Sequence, residues 1–362
     1  RITEYWTDNV TWNNQPSIAT SPTATETNSS SAQYWQWEIT QLVRDWYSGK
    51  YANYGFMLKH RDENELWRRF NTTNSQSNTP RLTINYQVDA IGIEEFWGYS
   101  EDGVNLANGN LVFQGSDFLI PGRGPSLSLK RTYNSRASEQ SGIFGYGWIS
   151  NLETKIIDSG RGPITLVDGD GTHHYFGQKY GGGYETAGGL YLDLEKNTDG
   201  TYTITRSNAD TNKFQDKLHF NTAGRISSIE GSDGNLTTFN YQDSRLVSIN
   251  DSSNRTVLFT YNSDNYIVGV QLPGGRSISY NYDQNGNLQQ VRGPEGNSIK
   301  FTYNLEHNLT TITDRRSIET TINYDGFDRV DSIARPITID GYKEESINSY
   351  TYDVDNNLTT VV

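Results

Sequence analysis

The chain has 362 residues, which exceeds the usual size of one domain and predicts two or more folded units. It contains no cysteine, which excludes disulfide bonds and thiolate metal sites, and its formal charge of −13 argues against general binding to nucleic acids or anionic membranes. Hydrophobic residues make up 33% of the chain, aromatic residues 12%, and 34 glycines lie between them, which favours many short strands joined by turns over a helical or disordered protein.

Residues 1–87 form the first predicted unit, because seven of the eight tryptophans precede residue 98. Short strands and turns fill most of this unit. The only convincing helix covers residues 40–47, where apolar residues follow a helical spacing. Thr40 is a suitable N-cap, and Gly49 lies just past the end of the helix. We therefore expect a β-rich unit with one short helix.

The first unit carries four motifs in a fixed order. They are Val10-Thr11-Trp12-Asn13-Asn14-Gln15-Pro16, the spaced residues from Trp37 to Gly49, Asn53-Tyr54-Gly55-Phe56, and Pro80-Arg81-Leu82 followed by Ile84 and Tyr86. This order is similar to that of the C-terminal half of the DNRLRE domain, a β-sandwich family related to carbohydrate-binding modules and common on bacterial and archaeal surface proteins. The resemblance covers residues 1–87 and implies a partial, jelly-roll-like β-sandwich.

The tryptophans of the first unit are the candidate ligand-binding residues of the chain. An aromatic ring stacks on the apolar face of a sugar, so a tryptophan-rich β-sandwich can bind polysaccharide. Trp12, Trp37 and Trp46 fall on alternating or helical positions that are typical of a core. Trp6 and Trp67 are better placed for exposure, and we assign them as the carbohydrate-binding residues.

Residues 88–103 are predicted to be a linker, and residues 104–215 then carry several motifs in order. The motifs occupy residues 104–111, 116–124, 127–135 and 144–148, the last being Phe144-Gly145-Tyr146-Gly147-Trp148. Together they resemble the segment that opens the β-shell of RHS proteins. Predicted hairpins, such as the one closed at Asp168-Gly169-Asp170-Gly171, lead from there into the last part of the chain.

Residues 216–362 repeat one pattern seven times. An aromatic residue marks each unit, with successive gaps of 21, 20, 21, 21, 21 and 28 residues: Phe220, Tyr241, Tyr261, Tyr282, Tyr303, Tyr324 and Tyr352. A nearly constant period in this range is typical of a repeat array. A second large residue stands two positions before each aromatic, which is the spacing of a strand with one buried face.

Each aromatic is followed by a turn and then by a second strand. The fourth residue after the aromatic is usually of a type that tolerates positive φ, such as Gly224, Asn265 or Gly286. Two apolar residues follow three positions apart, as at Ile267 and Val270. Such positions face opposite sides of a regular strand, so we expect either a kinked, bulged unit or partial cover on both faces. One unit is thus a β-hairpin that must stack on its neighbours.

The repeat resembles the tyrosine–aspartate (YD) repeats of the RHS family, as in Tyr282-Asp283 with Gly286-Asn287-Leu288. Several units depart from the Tyr-Asp pair, as at Phe220-Asn221. The family includes bacterial polymorphic toxins, wall-associated proteins and animal teneurins, in which such repeats wind into a hollow β-shell. The resemblance implies an all-β protein, in which a spiralling sheet of stacked hairpins follows the partial β-sandwich. Seven repeats would give an open sheet.

Motifs that could indicate catalysis or metal binding have simpler explanations in this sequence. The Asp-Gly pairs at 168–171 lack the later oxygen ligands of a calcium loop and fit a hairpin turn. Five scattered histidines, including the adjacent His173 and His174, have no metal-ligand spacing. No Gly-x-Ser-x-Gly elbow is present, and no carboxylate pair stands out among the 43 acidic residues. We therefore predict no catalytic residues, no metal site, no cofactor and no enzyme activity.

The function predicted from the resemblance is structural. It implies the N-terminal part of a secreted RHS scaffold at the cell surface or cell wall, which encloses or presents a C-terminal toxin. The expected partners are the protein's own C-terminal region, a cell-wall or polysaccharide glycan, and further copies of the chain through strand edges, without nucleic acid. One alternative is a surface adhesin or self-assembling fibre subunit. Another is a dedicated glycan-binding module.

The two ends of the sequence favour a piece of a longer protein. Arg1 is not an initiator methionine, and the last residues fall inside a repeat. No apolar run approaches the roughly 18 to 20 residues of a membrane helix, so we expect no membrane insertion.

Overall fold

The computed structural model describes residues 1–4, 15–25, 37, 39–47, 51, 54–58, 91–93, 97–160, 162–179, 182–186, 189–207, 214–339, 342–353, 356 and 358–362. The chain divides into two compact units. One consists of residues 1–88 with 159–162, and the other of residues 89–158 with 163–362.

The first unit contains a helix, α1 (Thr40–Tyr47), at the position that the sequence predicted. An isolated antiparallel bridge joins Ile2 to Ile18, and both Ile2 and Leu42 of α1 are buried. Trp37 and Trp46 are partly buried. Trp12, the third tryptophan assigned to the core, lies outside the described residues.

The described residues of the second unit form strands and turns, apart from two 3₁₀ helices at Ser135–Ala137 and Asn151–Glu153. The first nine strands are β1 (Val112–Gly122), β2 (Gly124–Asn134), β3 (Ser141–Gly142), β4 (Gly145–Tyr146), β5 (Trp148–Ser150), β6 (Lys155–Ile157), β7 (Ile164–Val167), β8 (His173–Gln178) and β9 (Tyr184–Glu185). The next sixteen are β10 (Leu192–Lys196), β11 (Tyr202–Ser207), β12 (Phe214–Phe220), β13 (Ile226–Gly231), β14 (Leu236–Gln242), β15 (Arg245–Asn250), β16 (Thr256–Tyr261), β17 (Ile267–Gln271), β18 (Ser277–Tyr282), β19 (Leu288–Arg292), β20 (Ser298–Tyr303), β21 (Leu309–Thr313), β22 (Glu319–Tyr324), β23 (Val330–Ile339), β24 (Tyr342–Asp353) and β25 (Leu358–Val361).

Strands β10 to β25 form one 16-stranded antiparallel sheet, in which each strand pairs with the strands before and after it in sequence. Smaller sheets, β1-β2-β5, β3-β4 and β6-β7-β8-β9, precede it. The strand order of the large sheet is linear, and its two outer strands are not neighbours. The prediction of an all-β protein built from stacked hairpins is therefore confirmed.

A β-bulge lies beside the aromatic residue in each of the first six repeats. In the third repeat, Thr260 pairs with Gly269 and Tyr261 pairs with Ile267, which leaves Val268 as the extra residue. The same register shift occurs at Phe220, Tyr241, Tyr282, Tyr303 and Tyr324. A bulge places two residues opposite one and reverses the alternation of faces beyond it. The last hairpin, β24–β25, pairs without such a shift.

The bulge explains how two apolar residues three positions apart can both be buried. Ile267 is 0% exposed and Val270 is 1% exposed, although a regular strand would turn them to opposite faces. Equivalent pairs are buried in other repeats: Leu246 with Ile249, Leu288 with Val291, and Val330 with Ile333. Of the two structures that the sequence left open, the bulged unit is the one that forms.

In five of the seven repeats, the turn after the aromatic is closed by the predicted position. Positive φ occurs at Gly224, Asn265, Gly286, His307 and Asp328. The residue that follows the aromatic stabilises the turn, since Asp283 Oδ1 accepts hydrogen bonds from the backbone N–H groups of Asn285 and Asn287, both at 2.9 Å. Asn262 Oδ1 accepts the same two bonds in the preceding repeat. Asparagine and aspartate are interchangeable in this role, which explains the departures from the Tyr-Asp pair at Phe220-Asn221 and Tyr261-Asn262.

Residues 98–158, here called the opening layer, pack on one face of the large sheet. A single hydrophobic core joins them to the repeats. Leu127, Leu129 and Phe144 from the opening layer are each 0% exposed within this core. Phe301 and Leu309 are buried in it from the side of the repeats. The core of the second unit therefore sits between the opening layer and the repeat sheet.

Gly145 allows the opening layer to approach the repeats closely. Its φ is +86°, and a Cβ atom there would lie 2.4 Å from the backbone oxygen of Gly286. Gly234 provides a matched comparison, since its φ is +76° and nothing lies within 4 Å of an added Cβ. Both positions demand a left-handed backbone, but only Gly145 also has a backbone neighbour in the way.

We expect Gly234→Ala to lower the free energy of unfolding by about 1–2 kcal/mol, the cost of a left-handed non-glycine residue. Gly145→Ala should cost about 1–3 kcal/mol more, because the methyl group must displace the Gly286 backbone. Urea denaturation followed by tryptophan fluorescence measures both values. Equal costs for the two variants would show that the close approach does not matter for stability.

Candidate functional site at the interface of the opening layer and the repeats

The residues singled out from the sequence fall in two places. Trp6 and Trp67, the predicted carbohydrate-binding residues, lie outside the described residues, so their role stays a prediction. The seven repeat aromatics all pack on the core: Phe220 is fully buried, and the six tyrosines Tyr241, Tyr261, Tyr282, Tyr303, Tyr324 and Tyr352 are partly buried. Trp148, the last tryptophan in the sequence, is 2% exposed in the opening layer.

Five of the repeat tyrosines donate a hydrogen bond to the backbone of the preceding repeat. The pairs are Tyr261 with the carbonyl of Leu246 (2.8 Å), Tyr282 with Ile267 (2.7 Å), Tyr303 with Leu288 (2.8 Å), Tyr324 with Leu309 (3.0 Å) and Tyr352 with Val330 (2.8 Å). Each acceptor is the residue at which a bulge begins. A bulge disrupts the strand ladder locally, and the hydroxyl group supplies the missing partner. This explains why most repeats use tyrosine here and not phenylalanine.

The opening layer supplies partners for backbone N–H groups at the same bulges. The N–H of Ile267 donates to the carbonyl of Ile143 at 2.9 Å, and the N–H of Val330 donates to the carbonyl of Gly109 at 3.0 Å. The N–H of Leu309 donates to the hydroxyl oxygen of Tyr133 at 3.0 Å. These three bulge residues therefore bond through N–H to the opening layer and through C=O to the next repeat.

Burial raises the pKa of the tyrosines in the sheet. The pKa of Tyr241 rises to about 12, chiefly because its ring is removed from water. The same cause raises the pKa of Tyr303 and of Tyr324 well above the usual range. These hydroxyl groups are therefore protonated at neutral pH and available as donors.

Arg131 and Asp117 form a buried ion pair within the opening layer, beside the repeats. Arg131 Nε lies 2.6 Å from Asp117 Oδ2 and Nη2 lies 2.8 Å from Oδ1, and the side chains are 1% and 4% exposed. Tyr280, from the repeat sheet, donates its hydroxyl hydrogen to Asp117 Oδ2 at 2.8 Å. The guanidinium carbon also lies 4.8 Å from the ring centroid of Trp148. The pair joins the two layers at one defined position.

No sequence motif indicates this ion pair. The signal was the alternation of Leu127, Leu129, Arg131 and Tyr133, which places the arginine on the same face of β2 as three buried apolar residues. A buried arginine requires a carboxylate partner, but periodicity does not say which of the acidic residues supplies it.

Trp148 connects the opening layer to the five tyrosines that bond to the preceding repeat, which are here called the tyrosine ladder: Tyr261, Tyr282, Tyr303, Tyr324 and Tyr352. Its indole N–H donates to the hydroxyl oxygen of Tyr303 at 2.9 Å. Its ring meets Phe301 edge to face, with ring centroids 5.2 Å apart, and meets Tyr133 at 5.5 Å. The hydroxyl of Tyr303 thus accepts a hydrogen bond from the opening layer and donates one to the preceding repeat.

A second polar cluster ties the predicted linker to the end of the sheet. The Asp102 side chain is 1% exposed and lies 2.6 Å from Arg335 Nη2. Asp102 Oδ2 accepts hydrogen bonds from Tyr350 (2.8 Å) and Asn348 (2.7 Å). The last residues of the segment assigned to a linker therefore make buried contacts.

One group of side chains has the composition of a hydrolase triad. His219 Nδ1 lies 3.4 Å from Thr203 Oγ1, and Nε2 lies 3.1 Å from Glu230 Oε2. The three residues stand on β11, β12 and β13, which is why sequence spacing did not reveal them. Thr203 lies in a central strand that pairs on both sides, so its neighbouring N–H groups serve the ladder and cannot form an oxyanion hole. The geometry fits a cross-strand polar contact.

Three further features bear on function. In the part of the chain that the structure describes, no group of three or more His, Cys, Asp or Glu side chains could hold a metal ion. Asp168 and Gly171 close a hairpin between β7 and β8, with the Gly171 N–H donating to the Asp168 carbonyl at 3.0 Å, as the sequence predicted. No helix among the described residues is long and apolar enough to cross a membrane.

Three family models match the chain. Residues 2–86 match carbohydrate-binding module family 96, residues 101–176 match a domain of unknown function (DUF6531), and residues 282–319 match the RHS Repeat. The repeat array is of the RHS type. The first unit resembles a carbohydrate-binding module, in agreement with the resemblance drawn from its motifs. The boundaries assigned to linker and opening region stay predictions.

Two curated relatives that match the chain are both named as WapA nucleases. The tRNA nuclease WapA of Bacillus subtilis (strain 168) is 32% identical over 200 residues, which is 54% of this chain and 8% of the relative. A nuclease WapA of Bacillus spizizenii is 32% identical over 164 residues, or 44% of this chain and 7% of the relative. The chain thus spans less than a tenth of these proteins, and nuclease activity is what the names of those relatives state.

Solved structures show weaker similarity. The crystal structure of TcdB2-TccC3-TEV aligns with 61% of this chain and 17% of that chain, at 12% identity and a TM-score of 0.29. A score of this size carries no argument, and the fold assignment rests on the strand order of the large sheet. Together the family matches support an extracellular RHS-type scaffold joined to a carbohydrate-binding-module-like unit.

We expect Arg131→Met to lower the free energy of unfolding by about 3–5 kcal/mol, because it leaves Asp117 charged, buried and unpaired. The double variant Arg131→Met with Asp117→Asn should recover part of that loss, since the amide oxygen still accepts from Tyr280 and no charge is buried. Urea denaturation of both variants measures the difference. A double variant no more stable than Arg131→Met would contradict a buried charge as the cause.

The tyrosine ladder predicts a graded series of hydroxyl deletions. Tyr261→Phe removes one donor and should cost about 1–2 kcal/mol, because the Leu246 carbonyl loses its partner. Tyr303→Phe should cost about 2–4 kcal/mol, since Trp148 also loses its acceptor. Tyr191→Phe is the control, because Tyr191 is 43% exposed, and should change stability by less than about 0.5 kcal/mol. The ladder has no role in stability if all three variants unfold at the same urea concentration.

Proposed function

We propose that this chain is the non-catalytic N-terminal part of an extracellular scaffold. In it the repeat sheet encloses or presents a C-terminal toxin segment, and the first unit attaches the protein to a cell-surface polysaccharide. The observation that carries the proposal is the continuous 16-stranded sheet, clamped on one face by the opening layer. Such a sheet gives an extended, rigid surface without assembling a reaction centre.

The architecture of the second unit supports a scaffold in two ways. The buried side chains of Arg131 and Asp117 bond to each other, and Asp117 also accepts a hydrogen bond from Tyr280, so the two charged groups stabilise the fold and are not presented to a substrate. From the second repeat onward, each repeat also bonds to the next through a tyrosine hydroxyl, a contact that can be repeated in a longer array. The RHS match to residues 282–319 and the WapA relatives point in the same direction.

The enclosing role can be tested on the full-length protein that contains this chain. We expect the segment that follows residue 362 to resist trypsin for much longer in the intact protein than after it is expressed alone. Gly145→Ala, which loosens the opening layer, should shorten that protection. Time-resolved digestion with mass spectrometry provides the measurement. Digestion of that segment at the same rate in both contexts would remove the enclosing role.

The match to carbohydrate-binding module family 96 favours glycan attachment by the first unit. We expect the chain to be retained on insoluble cell-wall polysaccharide, and Trp6→Ala and Trp67→Ala to weaken retention by about tenfold each through lost ring stacking. Circular dichroism of each variant must remain unchanged, so that lost binding is not lost folding. Retention that neither substitution affects would exclude these tryptophans as the site.

Self-association through strand edges stays a prediction.

A further inference from the structure

An open cleft of about 760 Å³ lies between two consecutive repeats of the sheet. The turn 262–266 forms one side and the turn 283–287 the other, and Tyr146 of the opening layer also lines it. Gly286 lies between the aromatic walls, because a Cβ atom there would be 2.8 Å from the hydroxyl of Tyr266 and 3.3 Å from the ring of Tyr146. The cleft belongs entirely to the second unit.

Four tyrosines are among the residues that line the cleft: Tyr146, Tyr266, Tyr280 and Tyr282. Tyr266 stacks on Tyr282, with ring centroids 4.8 Å apart and an interplanar angle of 28°. Tyr146 is stacked in turn on His307, at 3.8 Å and 11°. Both Tyr266 and Tyr146 are partly exposed. Rings held by stacking on a second ring are fixed in orientation, so a ligand would meet a rigid surface.

The polar lining of the cleft consists of amides and carboxylates. Asp264, Gln284, Asn285 and Gln289 are exposed at its surface. Among the residues that the structure describes, no lysine or arginine lines the cleft. Carboxylates accept hydrogen bonds and amides both donate and accept, which matches the hydroxyl groups of a sugar. The absence of cations from the lining disfavours phosphate or other anionic ligands.

Tyr266 also departs from the repeat pattern. It stands directly before the apolar residue that resumes the strand, and the other six repeats carry arginine or asparagine at that position: Arg225, Arg245, Asn287, Asn308, Arg329 and Asn357. Six repeats fold without an aromatic residue there, so the packing of the repeat does not require one. The ring of Tyr266 is therefore a local addition, and it lies where the cleft is.

From these observations we propose that the cleft between the turns 262–266 and 283–287 binds a neutral polysaccharide chain. A sugar ring lies against Tyr266 and Tyr146, and its hydroxyl groups bond to Gln284, Gln289 and Asp264. The site is separate from the tryptophans of the first unit. It gives the repeat sheet a glycan contact of its own, and it does not depend on the proposed scaffold role.

The test uses the whole chain carrying Trp6→Ala and Trp67→Ala, which removes the predicted contribution of the first unit. Calorimetric titration with neutral hexasaccharides of glucose, mannose and N-acetylglucosamine is expected to detect binding of at least one. Tyr266→Asn installs the residue that three other repeats use, and it should weaken that binding by about tenfold. Gln284→Ala, at an exposed position, should weaken it as well. Glu306→Ala changes the equivalent turn one repeat further on, outside the cleft, and should leave binding unchanged.

Three outcomes would overturn the proposal. They are no binding of any of the three hexasaccharides in this background, binding that Tyr266→Asn and Gln284→Ala leave intact, and equal weakening by Glu306→Ala. Selective binding of an unstructured neutral peptide in place of the sugars would also count against it. Loss of retention on cell-wall polysaccharide in the tryptophan variants alone concerns the first unit, so failure of that proposal is distinguishable from failure of this one.

Discussion

Each of the first six repeats interrupts its own hydrogen-bond ladder with a bulge, and the backbone groups at the bulge need partners from outside the hairpin. Ile267 shows how this demand is met, because its N–H bonds to the opening layer and its carbonyl bonds to Tyr282 of the next repeat. A buried polar group without a partner costs about 1–3 kcal/mol, so the repeats cannot dispense with either neighbour. The bulge is a local feature of one hairpin, but the partners that it requires connect that hairpin to the opening layer and to the next repeat.

The need for hydrogen-bond partners at the bulges also explains why the repeat sheet and the opening layer make different kinds of contact. The sheet is a chain of neighbour contacts, and such arrays gain stability repeat by repeat. The opening layer adds contacts of a different range, since Tyr133 bonds to both sides of the turn at His307 and Leu309, more than 170 positions along the chain. One segment of 98–158 therefore holds repeats that do not touch one another.

The ion pair of Arg131 and Asp117 contributes more to the alignment of the two layers than to the stability of the fold. Burying two charges removes their hydration, and an apolar pair of similar size is often as stable. A bidentate pair that also accepts from Tyr280 can form in only one alignment of the two layers. The aromatic rings around the guanidinium, with Trp148 nearest at 4.8 Å, make a shifted alignment costly. The pair thus selects one register for the opening layer.

The sequence by itself determined the all-β class, the repeat period, the turn positions and the apolar residues of the core, because all of these depend on neighbours within about 21 residues. It also exposed the conflict between Ile267 and Val270, but not its resolution. Only the tertiary structure decided that a bulge resolves it, that Arg131 meets Asp117, and that Tyr266 borders a cleft with Tyr146. These are contacts between segments far apart in the chain, and a local period carries no information about which distant segments meet.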